Sequence, residues 1–166
     1  MTSKNLILIR HAKSSWDSFV QDIERPLAQR GIDDITLVAK ESIKFLPATL
    51  ILFSSPAKRA RETASIFAKT ILHPLDRIFF SADLYTFDEN KLEKFIKSIN
   101  KDYDNVILFG HNDAITNFVN KFGTVIIANV PTSGLVWLQF ETDSWEKLDT
   151  GKTIKIMFPK NLKQKE

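Results

Sequence analysis

Asn5-Leu6-Ile7-Leu8-Ile9-Arg10-His11 is the stretch that decides the fold. Its first five residues carry no charge and no polar–apolar alternation, and the run stops abruptly at two basic side chains. A strand wetted on one face alternates, whereas a strand covered on both faces reads as a continuous apolar run. The same grammar recurs at Leu50–Phe53 before Ser54-Ser55-Pro56, and at Val106–Phe109 before Gly110-His111. Helical signals follow each run. Pro26 can open a helix at its first turn, and Leu27–Phe45 then carries Ile32, Ile35, Leu37, Val38, Ile43 and Phe45. Ser55-Pro56 starts a second helix bearing Ala60, Ala64, Ile66, Phe67 and Ala68. Lys91–Asn100 gathers Leu92, Phe95, Ile96 and Ile99 on one face, and Asn112–Phe122 is a short fourth helix. Leu135–Phe140 and Thr153–Phe158 alternate as edge or antiparallel strands do, joined by the polar stretch Glu141–Lys152. The expectation is an α/β fold: a three-layer α/β/α arrangement around a mostly parallel sheet, with residues 1–166 as one domain.

The chain's 166 residues suffice for one domain with a core and are too few for two comfortable ones. Hydrophobic residues at 43% and charged residues at 26% are a soluble globular balance, and 13 Phe predict a core filled by rings. The net charge of +3 comes without any long basic run, which argues against a nucleic-acid surface and suits an anionic ligand. The lysines Lys160, Lys163 and Lys165 are expected on a frayed, solvated tail. There is no cysteine, so disulfides, thiolate metal sites and a Cys nucleophile are excluded. The apolar segment before Arg10 is too short for a secretory signal, and nothing approaches the roughly 20 apolar residues of a membrane span. The default is a cytoplasmic protein with no membrane partner, monomeric in the absence of a contrary signal.

Ligands of open α/β sheets sit beyond the carboxyl ends of the strands. The first strand ends in Arg10-His11, the third in Gly110-His111, and the second runs into a helix start carrying Arg59. Parallel packing of the three would bring together two imidazoles, two guanidiniums and a helix N-terminus that itself favours anions. Guanidinium offers a planar fork to two phosphoryl oxygens. Imidazole titrates near neutrality, so its free base can attack phosphorus, and a second imidazole can donate to an oxygen as charge builds. Neighbouring cations would keep His11 neutral. The set reads as phosphoryl transfer through a phosphohistidine.

Leu8-Ile9-Arg10-His11-Ala12 resembles the R-H-[GA] signature of the histidine phosphatase (phosphoglycerate-mutase-like) superfamily. Ser54–Ala64 is similar to its S-S-P-x-x-R-A-x-Q-T-A block, and Gly110-His111-Asn112 to its G-H-N. The likeness runs from about Leu6 to Phe140. Within that superfamily the chain is most similar to the short phosphohistidine phosphatases named SixA, on His11–Ser14 (HAKS), Arg25-Pro26-Leu27 followed by Arg30-Gly31, and Pro131-Thr132-Ser133-Gly134 before a strand. The resemblance implies that His11 becomes phosphorylated while Arg10, Arg59 and His111 hold phosphoryl oxygens, with no metal and no cofactor. It implies as substrate a phosphohistidine on a signalling or phosphotransfer protein. A small-molecule or broad-specificity phosphomonoesterase of the same fold is the alternative, and a non-catalytic phosphoryl-binding module a third reading.

Two departures bear on mechanism. Asp17 stands where mutase-like members place an Asn beside the phosphate, and that contact is not carried over. The mutases' acidic block, whose Glu protonates the leaving oxygen, has no counterpart; Asp83, Asp88 and Glu89 are the acid candidates in that region. A missing acid suits a leaving imidazole better than an alkoxide.

Other residues admit plainer readings. His111 can be a capped helix-start histidine, and Arg59 a surface residue like Lys58 and Arg61. Lys13 and Ser14 either line the pocket mouth, Ser14 as a substrate contact, or belong to a solvated loop. Arg25 is read as a structural partner of Asp22 ahead of a pocket-edge role, and Trp16 and Tyr85 as packing ahead of recognition. The two histidines could ligate a metal with Asp17 or Asp113, but the adjacent arginines argue against a cation.

Overall fold

The computed structural model describes residues 2–17 and 19–164; Lys165 of the expected tail lies outside them. One six-stranded sheet runs β3-β2-β4-β1-β5-β6. Its strands are β1 Ser3–Arg10, β2 Ile51–Ser54, β3 Ile78–Phe80, β4 Asn105–Gly110, β5 Leu135–Glu141 and β6 Lys152–Met157. The first four in space are mutually parallel, and β5 and β6 are added antiparallel beyond β1. The continuous runs are the central strands: Leu6, Ile7, Leu8 and Ile9 of β1 and Val106 to Phe109 of β4 are at most 1% exposed.

Helices cover both faces, giving three layers. Against one face lie α1 Gln29–Ser42, α2 Lys58–Thr70 and α5 Pro159–Lys163, packing Ile35, Val38, Phe67 and Leu162 onto Ile7, Ile9 and Phe109. Against the other lie α3 Glu89–Lys97 and α4 Ala114–Phe122, packing Leu92, Ile96, Ile115 and Phe118 onto Leu6, Leu8 and Leu108. Alternate residues of one strand therefore feed opposite cores.

Two expectations are corrected, and one strand is added. The first helix begins at Gln29 and not at Pro26, because Leu27 is held extended: it bridges Ser14, and its N–H donates to Glu62 Oε1 at 3.1 Å. The lysine tail is helical over Pro159–Lys163, with Leu162 buried and Lys163 Nζ 2.6 Å from Asp34 Oδ1. The strand β3, three residues long with Phe79 and Phe80 exposed, carries too little pattern to read.

Candidate active site

Strand register does most of the assembly. Arg10 of β1 pairs with Gly110 of β4, so the next residue of each chain segment, His11 and His111, leaves the sheet side by side. His11 N–H donates to Gly110 O at 3.0 Å, and the two rings lie 5.2 Å apart. Ser54 of β2 is level with Phe109, and Ser55 N–H donates to Phe109 O at 3.1 Å, which brings the start of α2 and Arg59 to the same edge. Thr63 of α2 ties the β1 loop down, accepting from Ala12 N–H at 2.9 Å. On the loop's far side α1 approaches so closely that a Cβ on Gly31 would stand 2.2 Å from the Lys13 carbonyl oxygen. That contact explains the glycine at position 31.

The result is a cleft of about 320 Å³ lined by Arg10, His11, Lys13, Ser14, Trp16, Asp22, Arg25, Arg59, Phe87, Asn112 and Thr132. His111 stands directly behind His11, 2% exposed, its ring edged by Tyr85 and Phe87 at 5.4 and 5.5 Å.

The hydrogen bonds fix the tautomer of His11. His11 Nδ1 lies 2.8 Å from the Ala12 carbonyl, which only accepts, so Nδ1 carries the proton and Nε2 keeps its lone pair. His111 Nε2 lies 2.8 Å from Ser55 Oγ. That oxygen also accepts from Ala57 N–H, and where its own hydrogen points to Nε2 the ring proton is on Nδ1. Burial, ahead of the nearby charges, pushes His11 down to about 4. The expected cause, neighbouring cations, contributes after burial, through Arg59, Arg10 and Arg25. His111 is pushed to about 3 by burial first, then by His11 and Arg59. Two neutral imidazoles therefore face each other at working pH.

The arginines are anchored by part of their donors only. Arg10 Nη1 donates to Val130 O at 3.0 Å, and burial lowers its affinity for its proton against the opposing pull of Asp113. Arg25 donates from Nη1 to Ser14 Oγ and from Nη2 to Asp22 Oδ1 at 3.2 Å, with its guanidinium 3.7 Å over the Trp16 ring. Arg59, 2% exposed, uses Nη1 on Asp22 O at 2.7 Å and Nη2 on Asp22 Oδ2 at 3.0 Å. The Nε–H of all three is buried without a hydrogen-bond partner among the described residues, as are His111 Nδ1 and Ser133 Oγ. Ser133 N–H donates to Arg10 O and His11 O, so this hydroxyl too sits beside the cleft. The one other such atom, Asp34 Oδ1, is in the ion pair with Lys163. Orphaned buried donors are costly and rare, and here they cluster around one hollow. The arrangement can receive a compact anion beside the His11 Nε2 lone pair.

Sequence reading brings Arg10, His11, Arg59, His111 and Ser14 together as the structure does, although Ser14 Oγ is engaged by Arg25. Asp83 and Asp88 are elsewhere. Asp83 is exposed on a neighbouring depression, and Asp88 caps α3, accepting from Asn90 N–H at 2.9 Å. Glu89 is in the first turn of α3, and Asp17 is exposed; neither lines the cleft. Trp16 is 77% exposed and stacks on Arg25 at the rim, so it is no packing residue. Arg25 combines the two roles that were set against each other. Asp22 and Tyr85 were missed as site residues: Tyr85 OH donates to Asp22 Oδ2, and no motif marks either. The spacing Asp22-x-x-Arg25 was the available signal. Among the described residues no group of three His, Cys, Asp or Glu could hold a metal ion, and no helix is long and apolar enough to cross a membrane.

Residues 6–78 match the model of the histidine phosphatase superfamily (branch 1). An uncharacterized chloroplastic protein of Arabidopsis thaliana is 30% identical over 156 residues, spanning 87% of this chain and 70% of its own length. The structure of the protein histidine phosphatase SixA complexed with tungstate superposes with a TM-score of 0.79 at 19% identity, over 95% of this chain and 99% of that one. A phosphoserine phosphatase from Entamoeba histolytica, in complex with 3-phosphoglyceric acid, gives 0.63 at 14% identity, over 92% and 96%. At these identities the structural likeness is one of fold. Motifs, family match and sheet order agree, and the chain belongs to the histidine phosphatase superfamily.

Proposed function

We propose that this protein is a metal-independent phosphatase that works through a phosphohistidine on His11, and that its substrate is phosphohistidine on a signalling or phosphotransfer protein. The cluster of unpaired polar atoms carries the reading: Nε of Arg10, Arg25 and Arg59, which line the cleft with His11, and Nδ1 of His111, whose ring lies 5.2 Å from that of His11. A phosphoryl group supplies the acceptors they lack.

The Nε2 lone pair attacks phosphorus, and the bond from phosphorus to the leaving group breaks. The departing imidazole keeps the electron pair and takes a proton from solvent. Ala12 O accepts from Nδ1–H and steadies the positive phosphoimidazolium so formed. Water then attacks phosphorus, the P–Nε2 bond breaks, and His11 returns as the neutral base while the water's proton leaves with phosphate or solvent. Arg10 and Arg59 hold the oxygens throughout.

The carboxylate inventory favours a leaving group that needs little protonation. Asp22 is the one carboxylate lining the cleft. Burial works against its charge, yet bonds from Tyr85, Arg59 and Arg25 hold it at about 2, which makes it a poor proton donor at neutral pH. An imidazole leaves under those conditions, and an alkoxide does not.

The test is a side-by-side assay on a phosphohistidine protein and a panel of sugar phosphates, with wild type and His11→Ala. Wild type should prefer the phosphoprotein and form an acid-labile phosphoenzyme. His11→Ala should form none and lose several orders of magnitude in turnover. A variant keeping a tenth of wild-type activity overturns the covalent route, and faster turnover of a sugar phosphate overturns the substrate assignment.

A further inference from the structure

The Asp22 carboxylate is an unusual presence in a cleft built of cations. It lies among Arg25, Arg59 and the Tyr85 hydroxyl, with Lys13 on the same lining. Its side chain is 46% exposed, whereas that of Arg59 is 2% exposed. The carboxylate is thus more open to solvent than the two guanidiniums it pairs with, whose Nε–H groups are buried. Because both carboxylate oxygens are held by donors, it has a fixed direction and does not swing freely. Asp22 lines the same cleft as His11, so a group leaving a phosphoryl bound there departs near this charge.

We propose that Asp22 determines specificity by charge: it disfavours phosphoryl donors carrying a second negative charge next to the transferred group, and favours neutral or cationic leaving groups. This rests on the phosphatase reading above and adds a substrate rule to it. Asp22 offsets the charge that Arg25 and Arg59 would offer a second anion, holding Arg25 Nη2 and both terminal nitrogens of Arg59. Of the other two cations on the lining, Arg10 is assigned to the transferred phosphoryl group, and Lys13 is exposed, so solvent and salt screen it. A leaving imidazole, neutral or protonated, satisfies the rule; carboxylated or doubly phosphorylated metabolites do not.

Three aryl phosphates probe the charge alone: phenyl phosphate with a para trimethylammonium, a para nitro or a para carboxylate group. All leave as stabilised phenoxides, and intrinsic reactivity cancels when each variant is compared with wild type on the same compound. Asp22→Asn should raise the carboxylate-to-ammonium ratio of kcat/KM about tenfold, and Asp22→Glu should keep the wild-type ratio. In wild type alone, the preference for the ammonium compound should shrink as salt rises from low to about 0.5 M, where screening is nearly complete within a few ångströms. This arm holds even if a variant fails to fold. An Asp22→Asn ratio within twofold of wild type, including an equal loss on all three compounds, overturns the charge rule and leaves Asp22 as a positioning residue. Failure of wild type to hydrolyse any of the three overturns the phosphatase reading itself.

Discussion

Lys4 and Arg59 are each 2% exposed, and each is paired with a half-exposed aspartate, but they lie at opposite ends of the sheet and are left in different states. At the amino end of β1, Lys4 Nζ donates to Asp104 Oδ1 at 2.6 Å and Lys101 O at 2.5 Å, and among the described residues no unpartnered buried side-chain atom lies in this pair. At the carboxyl end, Arg59 meets Asp22 through both terminal nitrogens and still keeps Nε–H unpaired. A buried cation paired with a half-exposed aspartate leaves no unpartnered side-chain atom in one place and one in the other. Burial and a salt bridge therefore do not distinguish a structural cation from a ligand-holding one; the surplus donor does.

Substitution at the two ends should separate these roles most widely. Arg59→Lys retains charge but loses the planar fork, and should cost at least about a hundredfold in kcat/KM, the scale of one lost oxyanion-stabilising donor. Lys4→Ala should leave kcat/KM of the folded enzyme unchanged while lowering stability to urea by about 1–3 kcal/mol. Assaying both variants against their own folded fraction checks this. An active Arg59→Lys enzyme would break the contrast.

The histidines allow a smaller effect to be measured. His11 and His111 are held near 4 and 3 in the folded chain, against 6.5 for the ordinary group. Above pH 6.5 both states are neutral and the pair does not affect the balance. As pH falls from 6.5 toward 4, the unfolded chain binds protons that the folded chain refuses, so stability falls through that window. By pH 4.5 the loss should be on the order of 2 kcal/mol per histidine. Asp22 works in a separate window: its depressed value stabilises the fold above the ordinary 3.8, and that contribution fades only toward 2. Urea unfolding at pH 7 and 4.5 should show a weaker pH dependence in the His11→Asn/His111→Asn double variant. Equal slopes in variant and wild type would mean that burial does not keep these rings neutral.

How much of this was legible in the sequence follows from how each residue is held. Arg10, His11 and His111 sit at the ends of long, fully buried runs, where apolar continuity marks the strand and the first charged residue marks its end. Register then makes them neighbours without further information. Asp22 lies on a short 3-10 turn, Asp22–Glu24, with no buried residue, and its place in the cleft depends on contacts with Arg59 and Tyr85 far along the chain. Local pattern has nothing to say about such contacts. The helix α5 was hidden for a related reason: two buried residues, Pro159 and Leu162, and one long-range ion pair decide it.

Asp88 offers the smallest effect and a direct check on the missing acid. Its carboxylate accepts from Asn90 N–H at 2.9 Å, and its own N–H donates to Thr86 Oγ1 at 3.2 Å, so it is committed to starting α3. An N-cap is worth about 1 kcal/mol, and Asn caps as well as Asp. Asp88→Ala should therefore lower stability by about that amount, and Asp88→Asn should barely change it. Neither should alter turnover of a phosphohistidine protein or of p-nitrophenyl phosphate, since Asp88 does not line the cleft. The amide is the informative variant: it keeps the cap and removes the proton. General acid catalysis contributes about 10²–10⁴-fold, so an acid at this position would be plain in the Asn variant even with the fold intact. A hundredfold loss there would mean that Asp88 reaches the reacting group during turnover, and the argument for a leaving imidazole from the scarcity of acids would lose its footing.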